Sequence, residues 1–387
     1  MQNGLITHAT ESSRNRERQA DFMIAELYNK NTRVMSVELE NAQIVKLGEI
    51  YNRDELPLYL CRELNLEKIN TWLDKRKMPV RREGLKNAKM LLGSAPFQNY
   101  IHMFSLTDQY WFKTKKTDSW ESMNFFTNEY PSDIGQALFT PWDINTDNIR
   151  RETPDLTTNG VLRKVWIQNK ATKKSYLVKA GSKCFAQEPI SEILASVTLK
   201  KISIIPFVQY KIAVNGMRIC SVCENFVDEH TEFVPAQSIY NLEPRLNTMS
   251  KFDHLVLMCT KYGLPDPKDY LYRMILADLI TGNNDRHLGN FGALHNVDTH
   301  TVEGFVPLFD FGSAFYEYSK ERKEISDIFK SETQNVVDLY GCIPSLKKLK
   351  DTSDLMRLID TYPDLTVSQK DDIKTGIEKR FSYFSNL

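Results

Sequence analysis

The sequence lacks a net charge, because its 50 lysine and arginine residues balance its 50 aspartate and glutamate residues. Proteins that bind nucleic acid or anionic membranes without sequence preference normally carry a net positive charge. We therefore expect no direct binding to nucleic acid and no electrostatic attachment to a membrane.

Long apolar runs are also missing, since no stretch reaches the length of about 18 residues that suggests a membrane-spanning helix. The N-terminal stretch MQNGLITHATESSRNRERQ has no apolar core of the kind that a secretory signal needs. These two absences predict a protein without a membrane span and with a cytoplasmic location.

Cysteines are few, six in 387 residues, whereas disulfide scaffolds are small and rich in cysteine. Cys220 and Cys223 form a single CxxC, with no second pair and no nearby histidine ligands. Structural zinc sites use four such ligands. We therefore interpret the two cysteines as small residues on a buried strand.

What is present is a globular composition, with 41% hydrophobic and 11% aromatic residues. Residues 16–30 have helical character. Residues 143–160 read DINTDNIRRETPDLTTNG and contain almost no large apolar side chain. Such a polar stretch is typical of a linker. It separates an N-terminal accessory region at residues 1–142 from the rest of the chain.

The pattern after the linker predicts two strands, a helix, a β-hairpin and then several helices. The strands are residues 161–167 and 176–178, joined by a polar turn. The helix begins near Pro189, a residue that suits the first turn. Asn215-Gly216 lies between two apolar segments and indicates a hairpin with a type I′ turn. Helical periodicity dominates from residue 229.

Three side chains with oxygen donors lie on two short segments of the C-terminal half. Asp285 and Asn290 are five positions apart in NNDRHLGN, and Asp310 begins an Asp-Phe-Gly tripeptide after an expected hairpin. Phosphoryl transfer from a nucleotide needs oxygen ligands for Mg²⁺ and a carboxylate that orients the attacking hydroxyl. The spacing therefore predicts a site of this kind, and the absence of a Walker A pattern argues against a P-loop NTPase.

Lys179 is the candidate for the cation that such a site also needs. It ends an apolar strand, so its ammonium group should be buried and should require a partner. The next helix offers Glu188 and Glu192, one turn apart. Protein kinases pair a strand lysine with a helix glutamate in this way. We prefer Glu192, which lies inside the predicted helix, and keep Glu188 as the alternative.

The segments NNDRHLGNFG and PLFDFG resemble those of the HipA-like kinases, a bacterial group of serine/threonine kinases related to the phosphoinositide kinases. The resemblance covers about residues 155–320. It implies an α+β, two-lobed protein-kinase-like fold that follows the accessory region of residues 1–142. A small β-rich N-lobe with the hinge would occupy residues 143–228, and a helical C-lobe would occupy residues 229–387.

The resemblance also implies ATP and Mg²⁺ as cofactors and assigns roles to individual residues. Asp285 would be the catalytic carboxylate, with Lys179 and its glutamate beside it, and Asn290 and Asp310 would bind Mg²⁺. The expected nucleotide contacts are the phosphate loop Thr157, Thr158, Asn159 and Gly160, the lysine Lys179, and the hinge residues Glu224, Phe226 and Asp228. The phosphate loop departs from the GxGxxG of protein kinases.

The function that this pattern favours is transfer of the γ-phosphoryl group of ATP to a hydroxyl, with a protein serine or threonine as the expected acceptor. A phosphoinositide or small-molecule kinase is the first alternative. A non-catalytic nucleotide-binding module is the second, and its usual sign would be loss of Lys179, Asp285, Asn290 or Asp310, all of which are present. The partners expected are a protein substrate and an antitoxin-like or regulatory protein.

Overall fold

The computed structural model describes residues 23–40, 43–94, 100–140, 152–182, 186–315 and 327–387. The accessory region contains the strands β1 (Met23–Asn29), β2 (Thr32–Glu40), β3 (Gln43–Ile50) and β4 (Tyr110–Lys113). They form an antiparallel sheet in the order β3-β2-β1-β4. The helices of this region are α1 (Leu58–Cys61), α2 (Leu66–Arg76), α3 (Leu85–Leu92), α4 (Trp120–Met123) and α5 (Asp133–Ala137).

The helical character predicted for residues 16–30 is wrong over residues 23–29, which form β1; residues 16–22 lie outside the described residues. Ala25, Leu27 and Asn29 are buried, and the residues between them are more exposed. This period of two is the signature of a strand with one face on a core. Pairing with β2 and β4 on both sides outweighs the local helical preference.

The linker predicted at residues 143–160 is wrong over its described part, which begins at Glu152. Pro154–Thr157 form a buried 3-10 helix. The Asp155 carboxylate, only 2% exposed, accepts hydrogen bonds from the backbone N–H groups of Gly135 (3.0 Å) and Trp166 (2.8 Å). Polar side chains can be buried when their hydrogen bonds are satisfied inside the protein, so polarity alone did not identify a linker.

The small lobe has the predicted order of two strands, a helix and a hairpin. Its elements are β5 (Lys164–Gln168), β6 (Ser175–Ala180), α6 (Glu188–Ile202), β7 (Lys211–Asn215) and β8 (Arg218–Glu224). The strands form an antiparallel sheet in the order β5-β6-β8-β7. The hairpin was predicted correctly, but its turn is centred on Gly216 and Met217, because Asn215 pairs with Arg218. Gly216 has a φ of 59° and Met217 does not have a positive φ, so the type I′ turn predicted at Asn215-Gly216 is wrong. Cys220 and Cys223 are buried on β8, as predicted.

The larger lobe combines a three-stranded antiparallel sheet with helices around one hydrophobic core. The strands are β9 (Thr231–Pro235), β10 (Gly292–Asn296) and β11 (Thr301–Phe305). The helices are α7 (Ala236–Tyr240), α8 (Lys251–Tyr262), α9 (Pro267–Thr281), α10 (Asp327–Lys330), α11 (Thr333–Tyr340), α12 (Ser353–Thr361) and α13 (Val367–Ser385). A further 3-10 helix covers Pro344–Lys350. No helix in the described ranges combines the length and the apolarity needed to cross a membrane.

Candidate active site

The loop that carries Asp285 and Asn290 follows α9, which ends at a glycine with a φ of 66°, Gly282. Arg286 holds this loop in place from within the core, where only 3% of it is exposed. Its guanidinium group forms two bonds of 3.0 Å with the Asp278 carboxylate, and it donates to the backbone oxygens of Asn290 (2.9 Å) and Phe309 (2.5 Å). One buried side chain therefore connects α9, the loop and the residue that precedes Asp310.

Asn290 is the better enclosed of the two functional candidates on this loop, with 6% exposure. Its Nδ2 donates to the backbone oxygen of Asp285 at 3.1 Å, which leaves the amide oxygen as the atom suited to a metal. The Asp285 side chain is partly exposed, and the neighbouring His287 is exposed. The loop therefore presents an amide and a carboxylate within one short, internally bonded turn.

Asp310 lies beside Lys179, as a phosphate and metal site requires. Lys179 Nζ is 3.3 Å from Asp310 Oδ1 and 2.7 Å from Glu192 Oε1. The positive charge of Lys179 holds the pKa of Asp310 well below its usual range, although burial acts to raise it. The charges of Lys164 and Arg286 act in the same direction as Lys179. Although burial acts to lower it, the carboxylates of Asp310 and Glu192 raise the pKa of Lys179 well above its ordinary value. Both groups are therefore charged at neutral pH.

The lysine pairs with Glu192 and not with Glu188, which confirms the preferred of the two predicted partners. Glu192 also accepts a hydrogen bond from the Ser221 hydroxyl, which faces it from β8. Glu188 accepts instead from the backbone N–H of Ser182 at 3.0 Å. The Lys179–Glu192 pair links β6 to α6, and both side chains are less than a tenth exposed.

The proposed phosphate loop is firmly attached through its two threonines. The Thr157 hydroxyl, which is buried, donates to the backbone oxygen of Phe104 at 2.7 Å. The Thr158 hydroxyl donates to Pro154 O and accepts from the indole N–H of Trp166, both at 2.7 Å. These two side chains therefore have structural roles, which leaves the backbone around Asn159 and Gly160 for the predicted phosphate contact. In this structure the Gly160 N–H donates to Asn159 Oδ1 at 2.6 Å.

Lys164 is a functional candidate that sequence reasoning missed. It lies directly opposite Lys179 in the pairing of β5 with β6, and its Nζ donates to the backbone oxygen of Asn159 at 3.0 Å. Burial, and then the charge of Lys179, lower the pKa of Lys164 to about 7, while Asp310 acts in the opposite direction. The signal was available, because the two predicted strands imply that a residue near the start of the first lies beside the end of the second.

The accessory region contacts the proposed phosphate loop, and no pattern in the sequence predicted this contact. Arg82, 3% exposed, donates to the backbone oxygen of Thr158. The Glu83 N–H donates to the backbone oxygen of Val161 at 2.8 Å, and its carboxylate lies 3.2 Å from Arg163. The loop is thus held from two sides, by its own lobe and by the accessory region.

The proposed hinge is also in contact with the accessory region. Gln109, which is fully buried, donates to the backbone oxygens of Asp228 (2.8 Å) and Thr231 (2.5 Å). The Asp228 carboxylate accepts from the N–H of His230 at 3.0 Å, and it is exposed. The Glu224 side chain points to solvent and pairs with a lysine, so only its backbone is suited to adenine.

Phe226 belongs to a partly exposed aromatic cluster between the hinge and Asp310. Its ring centroid is 5.4 Å from that of Phe309 and 5.9 Å from that of Phe233, and the last two are 5.5 Å apart. Such a surface suits a flat heteroaromatic ring. Phe309 directly precedes Asp310, so the cluster extends to the metal candidate.

The donor set fits magnesium better than a transition metal. No group of three or more histidine, cysteine, aspartate or glutamate side chains in the described ranges could hold a metal by itself. Magnesium keeps several waters and is commonly bound by one or two protein oxygens plus substrate phosphates. One carboxylate at Asp310 and one amide at Asn290, connected through Arg286, meet that description.

Comparisons with known proteins bear on the fold. No protein-family model matches the chain, and no curated protein matches it. The chain is similar to a protein chain in the Shewanella oneidensis MR-1 complex of the toxin–antitoxin system HipA, HipB and its operator DNA, with a TM-score of 0.53 and 13% identity over 94% of this chain and 97% of that one. It is also similar to the Helicobacter pylori proinflammatory kinase CtkA, with a TM-score of 0.42 and 18% identity over 58% of this chain and 91% of that one.

The similarity to the Shewanella structure extends over nearly the whole of both chains and includes the accessory region. At 13% identity it establishes the fold, which is the two-lobed, HipA-like kinase fold that the sequence motifs predicted. Activity, substrate and partners do not follow from a fold.

Proposed function

We propose that the protein is an ATP- and Mg²⁺-dependent kinase that transfers the γ-phosphoryl group to a protein serine or threonine. The observation that carries this proposal is the charged cluster of Lys179, Glu192 and Asp310 on a HipA-like kinase fold. Burying a lysine with two carboxylates, one of them partly exposed, is weak evidence for stability and is typical of functional sites. The side chain of Asp310 is 41% exposed, so it is accessible to such a ligand.

Each proposed residue has a distinct part in the reaction. Asp310 and Asn290 would hold Mg²⁺, which supplies charge neutralisation on the phosphates when bound. Lys179 and Lys164 would bind phosphate oxygens, and the Lys164 pKa of about 7 would rise when an anion arrives. Asp285 would orient the acceptor hydroxyl and accept its proton.

The nucleotide base and ribose would lie along the hinge. The aromatic cluster around Phe226 supports placing adenine there, with backbone groups of Glu224 and Phe226 as its hydrogen-bond partners. Asp228 is exposed at the end of this segment and is the candidate for the ribose. Asn159 and Gly160 would cover the phosphates through their backbone.

We further propose a cytoplasmic protein with a regulatory or antitoxin-like protein partner and no direct contact with nucleic acid. The partner part rests on the similar Shewanella chain, which belongs to a complex with HipB and operator DNA. The domain division at residues 1–142, 143–228 and 229–387 belongs to the same proposal. A phosphoinositide or small-molecule kinase would use the same residues on another acceptor.

The proposal is tested by incubating the protein with γ-labelled ATP and Mg²⁺, alone and with a heat-treated cell lysate. We expect label on protein serine or threonine, and no label above background with the Asp285→Asn variant as control. Label on added phosphoinositide vesicles or on a small molecule would instead identify a phosphoinositide or small-molecule kinase. Nucleotide binding with no transfer to any of these would make the protein a non-catalytic binding module.

A further inference from the structure

Tyr210 lies between α6 and β7, in a segment that runs alongside the residues leading to Asp310. The Leu308 N–H donates to the backbone oxygen of Pro206 at 3.0 Å, and the Val208 N–H donates to that of Leu308 at 2.8 Å. These bonds fix the two segments side by side, with a parallel bridge between Phe207 and Leu308. Tyr210 therefore has a defined position relative to Asp310, although 100 residues separate them in the sequence.

Tyr210 contacts each of the elements that carry the charged cluster. Its hydroxyl accepts a hydrogen bond from the backbone N–H of Asp310 at 3.1 Å. The centroid of its ring is 5.3 Å from Lys179 Nζ. Its own N–H donates at 2.8 Å to the hydroxyl of Ser196, one turn beyond Glu192 on α6. Only 5% of Tyr210 is exposed, so these contacts are enclosed.

The contact with Asp310 is the informative one because of the backbone conformation there. Asp310 has a φ of 61°, in the left-handed region that residues other than glycine rarely adopt. Such a conformation is unfavourable for a residue with a side chain and persists only where the surroundings hold it. The Tyr210 hydroxyl is the acceptor for the N–H of the residue that adopts it.

We propose that Tyr210 is a positioning residue for Mg²⁺ binding, which holds the Asp310 backbone so that the carboxylate faces both Lys179 and the metal. This role rests on the proposed function, because it requires Asp310 to be a magnesium ligand. Tyr210 does not touch the metal or the phosphates. Its hydroxyl acts through the backbone of Asp310, and its ring acts on Lys179.

The test uses Tyr210→Phe, which keeps the ring and removes only the hydroxyl. Tyr130→Phe is the matched control, because Tyr130 is also buried and its hydroxyl donates to Ser175 at 2.9 Å, away from Asp310. Affinity for a non-hydrolysable ATP analogue is measured by calorimetry across a range of Mg²⁺ concentrations and in EDTA. We expect the Mg²⁺ concentration at half-saturation to rise about tenfold in Tyr210→Phe, the scale of one hydrogen bond.

In Tyr130→Phe the Mg²⁺ concentration at half-saturation should lie within about twofold of the parent. The affinity for the ATP analogue in EDTA should agree within the same margin in the parent and both variants. An unchanged Mg²⁺ requirement in folded Tyr210→Phe would overturn the proposal. If Tyr210→Phe lost the same factor of affinity for the ATP analogue with and without Mg²⁺, the proposal would also be overturned, since such a loss indicates a general structural role.

Amide hydrogen exchange in the unliganded proteins provides a second measurement. The Asp310 amide should be protected in the parent and should exchange faster in Tyr210→Phe, but not in Tyr130→Phe. An unprotected Asp310 amide in the parent would overturn the role of Tyr210, even if the variant failed to fold. A parent with a protected amide but no Mg²⁺-dependent nucleotide binding would overturn the proposed function itself.

Discussion

Asp155 is buried and Asp310 is partly exposed, and the pKa values of their carboxyl groups shift in opposite directions. Asp155 accepts hydrogen bonds from backbone N–H groups of Gly135 and Trp166, and burial raises its pKa to about 7. Asp310 has Lys179 at 3.3 Å, and the charge of this lysine holds the pKa of Asp310 well below its usual range. Asp155 is 2% exposed, whereas the Asp310 side chain is 41% exposed.

The difference separates a structural carboxyl group from one suited to a ligand. Neutral donors are sufficient to satisfy Asp155, and its proton binding near neutral pH reflects the cost of a buried charge. Asp310 is kept ionised by cations and its side chain is partly exposed, which is the state that a divalent metal requires. The comparison therefore predicts that the two aspartates respond differently to the same substitution.

The largest expected effect is the loss of Mg²⁺-dependent nucleotide binding in Asp310→Asn. A neutral amide oxygen binds a divalent ion much more weakly than a carboxylate does. We expect the Mg²⁺-dependent affinity for ATP to fall by roughly 100-fold or more, equivalent to about 2.7 kcal/mol, in a folded protein. Calorimetry with Mg-ATP measures it. Asp155→Asn is the control and should keep this affinity within about twofold of the parent. Undiminished affinity in Asp310→Asn would remove Asp310 from the metal site.

A third aspartate, Asp285, should differ from both because its substitution should affect phosphoryl transfer and not nucleotide binding. Asp285→Asn should leave Mg-ATP affinity within a few-fold, because its proposed contact is the acceptor hydroxyl. Phosphoryl transfer should fall by roughly 10²-fold or more, the scale of a positioned general base. Both quantities are measured on the same preparation, with His287→Ala as the control for the exposed neighbour. Simultaneous loss of binding would instead identify Asp285 as a metal or structural residue, and near-parental transfer would end its catalytic assignment.

The Lys179–Glu192 pair should behave as one unit in a double-mutant cycle. Lys179→Ala and Glu192→Gln should each reduce turnover. The effect of the double variant should fall short of the sum of the two single effects by about 0.5 to 3 kcal/mol, the range for groups in contact. Glutamine keeps the size of Glu192, so the Ser221 contact can persist. Glu188→Gln replaces Glu192→Gln in the control cycle and should be additive with Lys179→Ala. Additivity in the first cycle would contradict the pairing as a functional unit.

The proposed metal-binding side of the site has signals in the sequence because its candidates are side chains in short segments. The D-x-x-x-x-N spacing and the Asp-Phe-Gly tripeptide pointed to Asp285, Asn290 and Asp310, and strand and helix periodicity led to the confirmed Lys179–Glu192 pair. Each inference needed only local geometry. The roles of these residues in catalysis remain predictions.

The phosphate-loop side was less predictable because contacts from distant segments hold it. Residues 152–160 read as a linker, although Asp155 and Thr157 are buried there. The backbone oxygen of Thr158, which accepts from Arg82, cannot be recognised in the sequence, since every residue carries such a group. Strand β1 was mistaken for the same reason, because its partners lie elsewhere in the sequence.

The last expected effect is on stability and not on nucleotide binding, and it concerns Asp155 and the pH dependence of the free energy of unfolding. Its folded-state pKa of about 7 lies above the ordinary value of 3.8. The folded protein therefore binds this proton more tightly than the unfolded chain does. The resulting stabilisation is complete below about pH 4 and is lost as the pH rises towards 7.

We expect the free energy of unfolding of the parent, minus that of Asp155→Asn, to fall by about 1.4 kcal/mol per pH unit between pH 5 and 7 and to level off above. Urea denaturation of both proteins at pH 5, 6, 7 and 8 measures this difference, and only its trend matters, so any constant loss from the new amide cancels. Arg82 is the charged neighbour that acts to lower this pKa. If Arg82 outweighed burial, the folded-state pKa of Asp155 would lie below 3.8 and the difference would be flat between pH 5 and 8. Asp155 would then be ionised like Asp310, and the contrast between the two aspartates would fail.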